Sequence, residues 1–123
     1  MLEHKKILIV DDDEKICMAL KDTLQLKGFE VGSAQNGMQG LKQFQLEKPD
    51  LVITDISMPD MDGIEFVREL AKQKKRIPII AMSGNPFGQN FLKAAMLLGA
   101  IDTLQKPFTA VELLNKVNKI LSL

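Results

Sequence analysis

The chain has 123 residues, of which 46% are hydrophobic and 26% are charged. This length is that of one domain, and this composition is ordinary for a globular protein, which excludes a disordered or collagen-like chain. The 16 basic and 16 acidic residues give no net charge, so nothing in the total favours direct contact with nucleic acid or with a membrane surface. We expect one folded domain over residues 1–123.

Short apolar runs alternate with segments of helical periodicity along the whole chain. Runs of consecutive aliphatic residues are typical of parallel strands that helices cover on both faces. In chain order, strands are predicted at residues 6–10, 29–34, 51–55, 77–82 and 101–105, and helices at 13–27, 37–45, 63–74, 86–98 and 109–121. The pattern therefore predicts an α/β fold with a five-stranded parallel sheet and right-handed crossovers.

Several helix boundaries carry local signals. Gly28 follows the first helix, where a left-handed residue commonly ends a helix. Pro86 after Asn85 is typical of a capped helix start. Thr109 and Glu112 have the spacing of a capping box at the start of the last helix.

The cysteine, the methionines, the longest apolar runs and the basic run say less about function. Cys17 is the single cysteine, so neither a disulfide framework nor a zinc site is expected. Cys17 and the seven methionines are expected to fill gaps in the core. The sequence has neither a secretory apolar run nor the roughly 18 continuous apolar residues of a membrane span, which predicts a cytoplasmic protein. The basic run "KQKKR" at 72–76 is interpreted as a solvated helix end.

Polar residues follow four of the predicted strands. Asp11 and Asp12 follow the first strand, and Asp55 ends the third. Ser83 follows the fourth strand, and Lys106 follows the fifth. Because the carboxyl ends of parallel strands meet at one edge of a sheet, these side chains are expected to converge. Crowded carboxylates repel one another unless a cation lies between them, so the acidic residues predict a divalent-cation site.

The chemistry of this acidic cluster favours one kind of ion. Oxygen ligands without nearby His or Cys indicate a hard cation, Mg²⁺ before Ca²⁺. Taken alone, "DDDE" at 11–14 is equally typical of a helix N-terminus. We assign that role to Asp13 and Glu14, whereas the convergence with Asp55 favours Asp11 and Asp12 as metal ligands.

The sequence resembles the receiver domain of two-component response regulators over nearly its whole length. The resemblance is carried by "ILIVDD", "DISMPDMDGIE", "PIIAMSG" and "GAIDTLQKPF". These stretches are similar to the acidic strand end, the phosphoacceptor loop, the hydroxyl position and the lysine motif of that family. The resemblance implies a doubly wound, flavodoxin-like (βα)5 fold with strand order 2-1-3-4-5.

The resemblance also implies a metal shell around the phosphoacceptor. It implies that Asp55 is phosphorylated and that Asp12 is a direct Mg²⁺ ligand. It implies that Asp11 acts largely through water and that the backbone carbonyl of Ser57 joins the shell. The Lys106–Pro107 bond is usually cis in this family.

The function implied is that of a phosphorelay component rather than an enzyme acting on a separate substrate. A sensor histidine kinase or phosphotransfer protein would donate a phosphoryl group to Asp55, and Ser83 and Lys106 would hold its oxygens. The domain would catalyse only its own phosphorylation and dephosphorylation. A conformational switch, expected in the loop at 83–89 and the helix after it, would control an output partner. Thr103 departs from the family, which commonly has an aromatic switch residue there.

Two alternatives remain open from the sequence. A haloacid-dehalogenase-type phosphatase would use Asp11 as the nucleophile, with Asp13, Ser83 and Lys106. Against this alternative, no acidic pair follows Lys106 and Asp55 would have no role. The second alternative is a pseudo-receiver, a binding module of the same fold that takes no phosphate.

Overall fold

The computed structural model describes residues 4–56, 63–73, 76–84 and 88–121, without the side chains of 88–91. Within these residues five parallel strands form one sheet in the order β2-β1-β3-β4-β5. This confirms the predicted fold class and strand order. The strands are β1 (Lys6–Val10), β2 (Glu30–Ala34), β3 (Leu51–Asp55), β4 (Ile79–Ser83) and β5 (Asp102–Gln105). The helices are α1 (Glu14–Gln25), α2 (Gly37–Glu47), α3 (Gly63–Ala71), α4 (Gly88–Leu98) and α5 (Ala110–Leu121).

Helices cover both faces of the sheet, which explains its continuous aliphatic strands. Alternate residues of a strand point to opposite faces, so Ile9 and Val10 contribute to different clusters of the core. One cluster includes Phe66 of α3, and the other includes Leu113 of α5. All residues of β3 and β4 are buried. The central strands are therefore enclosed on both faces, and their ends are fixed in position.

Most boundaries agree with the prediction, and the differences have local reasons. β4 begins at Ile79 rather than at residue 77, because Pro78 has no N–H to donate to a neighbouring strand. The carbonyl of Pro78 nevertheless accepts a hydrogen bond from Val52 N at 3.0 Å. α2 continues to Glu47, two residues beyond its predicted end, and α3 ends at Ala71 instead of residue 74. The predicted Asn85–Pro86 cap lies outside the described residues.

Helix ends carry the predicted capping contacts. Asp13 is the N-cap of α1, and its carboxylate accepts a hydrogen bond from Lys15 N at 2.9 Å. Gly28 has a φ of 94° after α1, and Thr109 Oγ1 accepts from Glu112 N at 3.1 Å before α5. No helix in the described parts of the chain is long and apolar enough to cross a membrane.

The expectation that every methionine fills the core is wrong. Cys17 and Met82 are buried, but Met18, Met38 and Met96 are 64%, 57% and 45% exposed. These three residues lie on the outward faces of α1, α2 and α4, where helical position outweighs the apolar character of the side chain.

Lys48→Gly is expected to stabilise the protein. Lys48 ends α2 in the left-handed conformation, with a φ of 50° and its N–H donated to Phe44 O. Glycine adopts this conformation without steric cost, so we expect a gain of about 0.5–1 kcal/mol in the free energy of unfolding. Urea unfolding measures this gain in stability. The matched control is Lys42→Gly inside α2, which should lose about 1 kcal/mol; a loss in Lys48→Gly would contradict the argument.

Candidate functional site

The polar strand-end residues converge as predicted on the carboxyl edge of the sheet. Asp11 directly follows β1, and Asp55 and Ser83 are the last residues of β3 and β4. In the register of the sheet Asp55 lies beside Met82 of β4. Ser83 is the next residue of β4 after Met82, so it lies close to Asp55. Lys106 follows β5, and its N–H donates to Ser83 O at 2.8 Å. Residues from four strands therefore meet in one place.

Three carboxylates form a compact cluster at this edge. One oxygen each from Asp11, Asp12 and Asp55 lies within 4.8 Å of the others. Asp11 and Asp55 are buried, whereas Asp12 is exposed. Carboxylate oxygens suit a hard divalent cation, and a partly exposed cluster leaves such an ion room for water ligands. The donor set therefore fits Mg²⁺.

Lys106 bridges two of these carboxylates. Its Nζ lies 2.7 Å from Asp11 Oδ2 and 3.1 Å from Asp55 Oδ2, with only 16% of the side chain exposed. Burial lowers the pKa of Lys106, but the hydrogen bond to Asp11 and the charge of Asp55 outweigh it, so the pKa is raised overall. Lys106 therefore remains charged at neutral pH, as one cation among three acids.

Asp11 is held from several sides. Its N–H donates to Ala34 O at 3.0 Å, and its Oδ1 accepts from Asp13 N at 2.9 Å. Burial raises the pKa of Asp11 above its ordinary value, although the hydrogen bonds from Lys106 and Asp13 oppose the rise. The carboxylate is thus fixed in place but costly to keep charged, which favours a further cation beside it.

Two hydrogen bonds near the site were not predicted from the sequence. The thiol of Cys17 donates to Asp11 O at 3.4 Å, and burial together with the nearby Asp11 charge raises its pKa to about 11. Thr54 Oγ1 donates to Asp55 O at 2.8 Å. Nothing in the residue pattern singles out either contact, because both depend on side-chain direction within packed elements.

Gly63 allows α3 to begin directly against the end of β3. A Cβ added to Gly63 would overlap the backbone of Ile56 and Asp55. Only glycine therefore permits this close approach. The Ser57 carbonyl lies outside the described residues, and so do residues 85–87 of the predicted switch loop at 83–89.

Thr103 lies next to a contact between α5 and β5. Lys116 Nζ donates to Thr103 O at 2.7 Å and to Asp102 Oδ1 at 2.8 Å. Asp102 Oδ1 also accepts from Thr103 N at 2.8 Å. Burial alone would raise the pKa of Asp102, but the hydrogen bonds from Lys116 and Thr103 outweigh burial and lower it. The backbone of Thr103, the residue that departs from the family pattern, is therefore held by the side chain of Lys116 on α5.

Lys116→Met is expected to reduce the free energy of unfolding at pH 7 by up to about 1 kcal/mol, the usual value of a partly exposed ion pair. The pKa of Asp102 is lowered in the folded state from its ordinary value of 3.8. Its stabilisation is therefore present above that value and is lost as the pH falls below it. Urea unfolding at pH 7 and pH 3 should show the difference from wild type narrowing at pH 3. Lys93→Met on α4 is the control, and an equal loss in both variants would contradict the role of the pair.

Comparison with known proteins places this geometry in one family. The family model of the response regulator receiver domain matches residues 7–118. The chain is 41% identical over 120 residues to the chemotaxis protein CheY of Thermotoga maritima, covering 94% of this chain and 98% of CheY. It is 40% identical over 119 residues to the alkaline phosphatase synthesis transcriptional regulatory protein PhoP of Bacillus subtilis, covering 96% of this chain.

A solved structure gives the same result. The chemotaxis response regulator CheY4 of Vibrio cholerae superposes with a TM-score of 0.88 at 32% identity, covering 96% of this chain and 99% of CheY4. The chain therefore belongs to the response regulator receiver domains, the signalling domains of two-component systems. It covers 49% of PhoP but 98% of the Thermotoga CheY.

Membership of this family bears on the alternatives. Receiver domains are signalling domains that interact with histidine kinases and output domains, and they bind Mg²⁺ in an acidic pocket. The match gives no support to the phosphatase alternative. The carboxylate of Asp13, its second acid, instead caps α1. The pseudo-receiver shares the receiver fold, so family membership does not separate it from a phosphorylated receiver.

Proposed function

We propose that Asp55 accepts a phosphoryl group from a phosphohistidine of a histidine kinase or phosphotransfer protein, with Mg²⁺ bound by Asp11, Asp12, Asp55 and the Ser57 carbonyl. The observation that carries the proposal is the contact of Lys106 with both Asp11 and Asp55 in the acidic cluster. Asp55 is thereby the acid that lies next to both a partly buried cation and the end of β4, where Ser83 supplies a hydroxyl.

The chemistry requires one displacement at phosphorus. An oxygen of Asp55 attacks phosphorus, the P–N bond of the phosphohistidine breaks, and the imidazole leaves with the electron pair and takes up a proton. The product is an acyl phosphate on Asp55. Bound Mg²⁺ would neutralise charge on the transferred oxygens. Lys106 would exchange its contact with Asp55 for one with a phosphoryl oxygen, and the Ser83 hydroxyl would donate to another.

The surface beside Lys106 suits the approach of a donor protein. A cavity of about 390 Å³ adjoins Lys106 and is lined mainly by apolar side chains of α1 and of the segment after β5. Ile16, Leu20 and Phe108 are among them. A kinase that brings its phosphohistidine to Asp55 would cover this cavity, which would contribute apolar contact to recognition.

Mass spectrometry after incubation with Mg²⁺ and phosphoramidate tests the proposal. A phosphoryl group located on Asp55 is the expected result. A group on Asp11 would favour the phosphatase alternative. A protein that binds Mg²⁺ but takes no phosphoryl group from phosphoramidate or from a histidine kinase would be a pseudo-receiver.

Asp12→Ala is expected to weaken Mg²⁺ binding by at least about tenfold, since even outer-shell partners of a metal contribute that much. It should also stabilise the metal-free protein, because one of three crowded carboxylates is removed. Isothermal titration with Mg²⁺ and urea unfolding in EDTA measure the two effects.

The matched comparison is Asp13→Ala, which removes the N-cap of α1. It should lower the free energy of unfolding by roughly 1 kcal/mol and leave Mg²⁺ affinity nearly unchanged. A larger loss of affinity in Asp13→Ala than in Asp12→Ala would show that the metal ligands are displaced by one residue.

A further inference from the structure

A second recessed surface lies at the opposite, amino-terminal edge of the sheet. It consists of two adjoining cavities of about 700 and 300 Å³, and Ile77 lines both. The larger cavity lies between the ends of α2 and α3, and the smaller lies between the ends of α3 and α4. Ligand pockets commonly measure about 300–1,000 Å³. We call the pair of cavities the basic groove.

The floor of the basic groove is apolar. Phe44 and Pro49, both buried, line the larger cavity together with Ile77. Leu98 and Ile101 line the smaller one, and Ile101 is 50% exposed. Each cavity therefore offers apolar surface to a side chain of a partner, and Ile77 is common to both cavities.

The charged side chains that line the basic groove have one sign. They are Lys48 and Lys72 in the larger cavity and Arg76 in the smaller one. Lys72 Nζ is paired with Glu69 at 3.1 Å. Within the described part of the chain Lys48 and Arg76 form no ion pair, and no carboxylate lines either cavity. Residues 74–75 lie outside the described residues and are not part of the site.

We propose that the basic groove binds an acidic amphipathic helix of a protein partner. Two apolar side chains on one helix face would enter the two cavities, and carboxylates beside them would pair with Lys48 and Arg76. Docking through spaced apolar anchors is how amphipathic helices bind grooves. A nucleic acid fits less well, because it is held by many phosphate contacts on a basic surface, whereas this floor is apolar and the chain has no net charge.

The proposal does not depend on phosphorylation of Asp55. The basic groove and the acidic cluster lie at opposite ends of the same strands, so a partner in the groove leaves the cluster accessible. This gives Lys72 and Arg76 a role beyond that of a solvated helix end.

Selection from a phage-displayed library of helical peptides on the whole protein tests the proposal. Enriched peptides should carry two apolar residues on one helix face and flanking Glu or Asp. Synthetic versions should shift the backbone amide resonances of residues 44–48, 76, 77 and 79 in ¹⁵N-labelled protein. Lys48→Glu and Arg76→Glu should each weaken binding by at least fivefold. The matched control Lys42→Glu, an exposed residue of α2 that lines neither cavity, should leave binding unchanged.

Other outcomes would overturn the proposal. These are enrichment of basic or uncharged peptides, shifts confined to other surfaces, equal weakening by all three substitutions, or no enrichment at all. A 20-nucleotide DNA that shifts the same amides with higher affinity would identify a nucleic acid as the occupant and would also reject the peptide proposal.

Discussion

Asp55→Asn is expected to abolish phosphorylation by phosphoramidate in the presence of Mg²⁺. The substitution keeps the shape of the side chain but replaces the attacking carboxylate oxygen with an amide, which is a far weaker nucleophile. The buried position of Asp55 at the end of β3 favours a near-isosteric replacement. Intact-protein mass spectrometry measures the label, and urea unfolding checks that the fold is retained.

Asp13→Asn is the matched control, because it makes the same chemical change two residues beyond Asp11. Asparagine also caps helices well, so α1 should remain stable and labelling should continue at the wild-type level. Full labelling of the Asp55→Asn protein at another carboxylate would reject Asp55 as the acceptor.

Gly63→Ala is expected to disrupt both the fold and the site. The added methyl group would overlap the backbone of Ile56 and Asp55. Unlike a side chain, this backbone cannot relieve the overlap by changing rotamer. The start of α3 must then move away from the end of β3 and displace Asp55. Overpacking of this kind costs about 1–3 kcal/mol. Urea unfolding measures the loss, and mass spectrometry should show reduced labelling of Asp55.

Gly84→Ala is the control for stability. A methyl group there would lie 3.4 Å from the nearest side-chain atoms of Lys106, which is close to ordinary contact, so the free energy of unfolding should change little. Equal stability of Gly63→Ala and wild type would show that α3 does not begin against β3 as described.

The sheet could be predicted from local pattern because its central strands are enclosed on both faces. Continuous aliphatic runs mark such strands, and β1 and β3 have their predicted bounds of 6–10 and 51–55. The strand order came from the family resemblance instead. Which strands become neighbours depends on the packing of whole helices, and no short stretch of sequence records it.

The site could be predicted as a set of strand ends but not as a set of contacts. The family resemblance implies that Lys106 contacts a phosphoryl group on Asp55. In the structure the Nζ of Lys106 lies closer to Asp11 than to Asp55. The choice depends on side-chain rotamers within the packed edge. Lys116 likewise contacts Asp102 across 14 positions of the chain, and a helix lysine of this kind looks like any exposed lysine in the sequence. The role of Ser57 stays a prediction.

The ion pair between Lys106 and Asp11 joins residues that are 95 positions apart. During synthesis, a chain that has not yet reached residue 106 holds all three acidic residues without the lysine that bridges them. Lys106 is synthesised just after β5, which among the described residues is an edge strand paired with β4. Under the proposed function, a nascent chain on the ribosome would therefore be a poor phosphoryl acceptor until its sheet is complete.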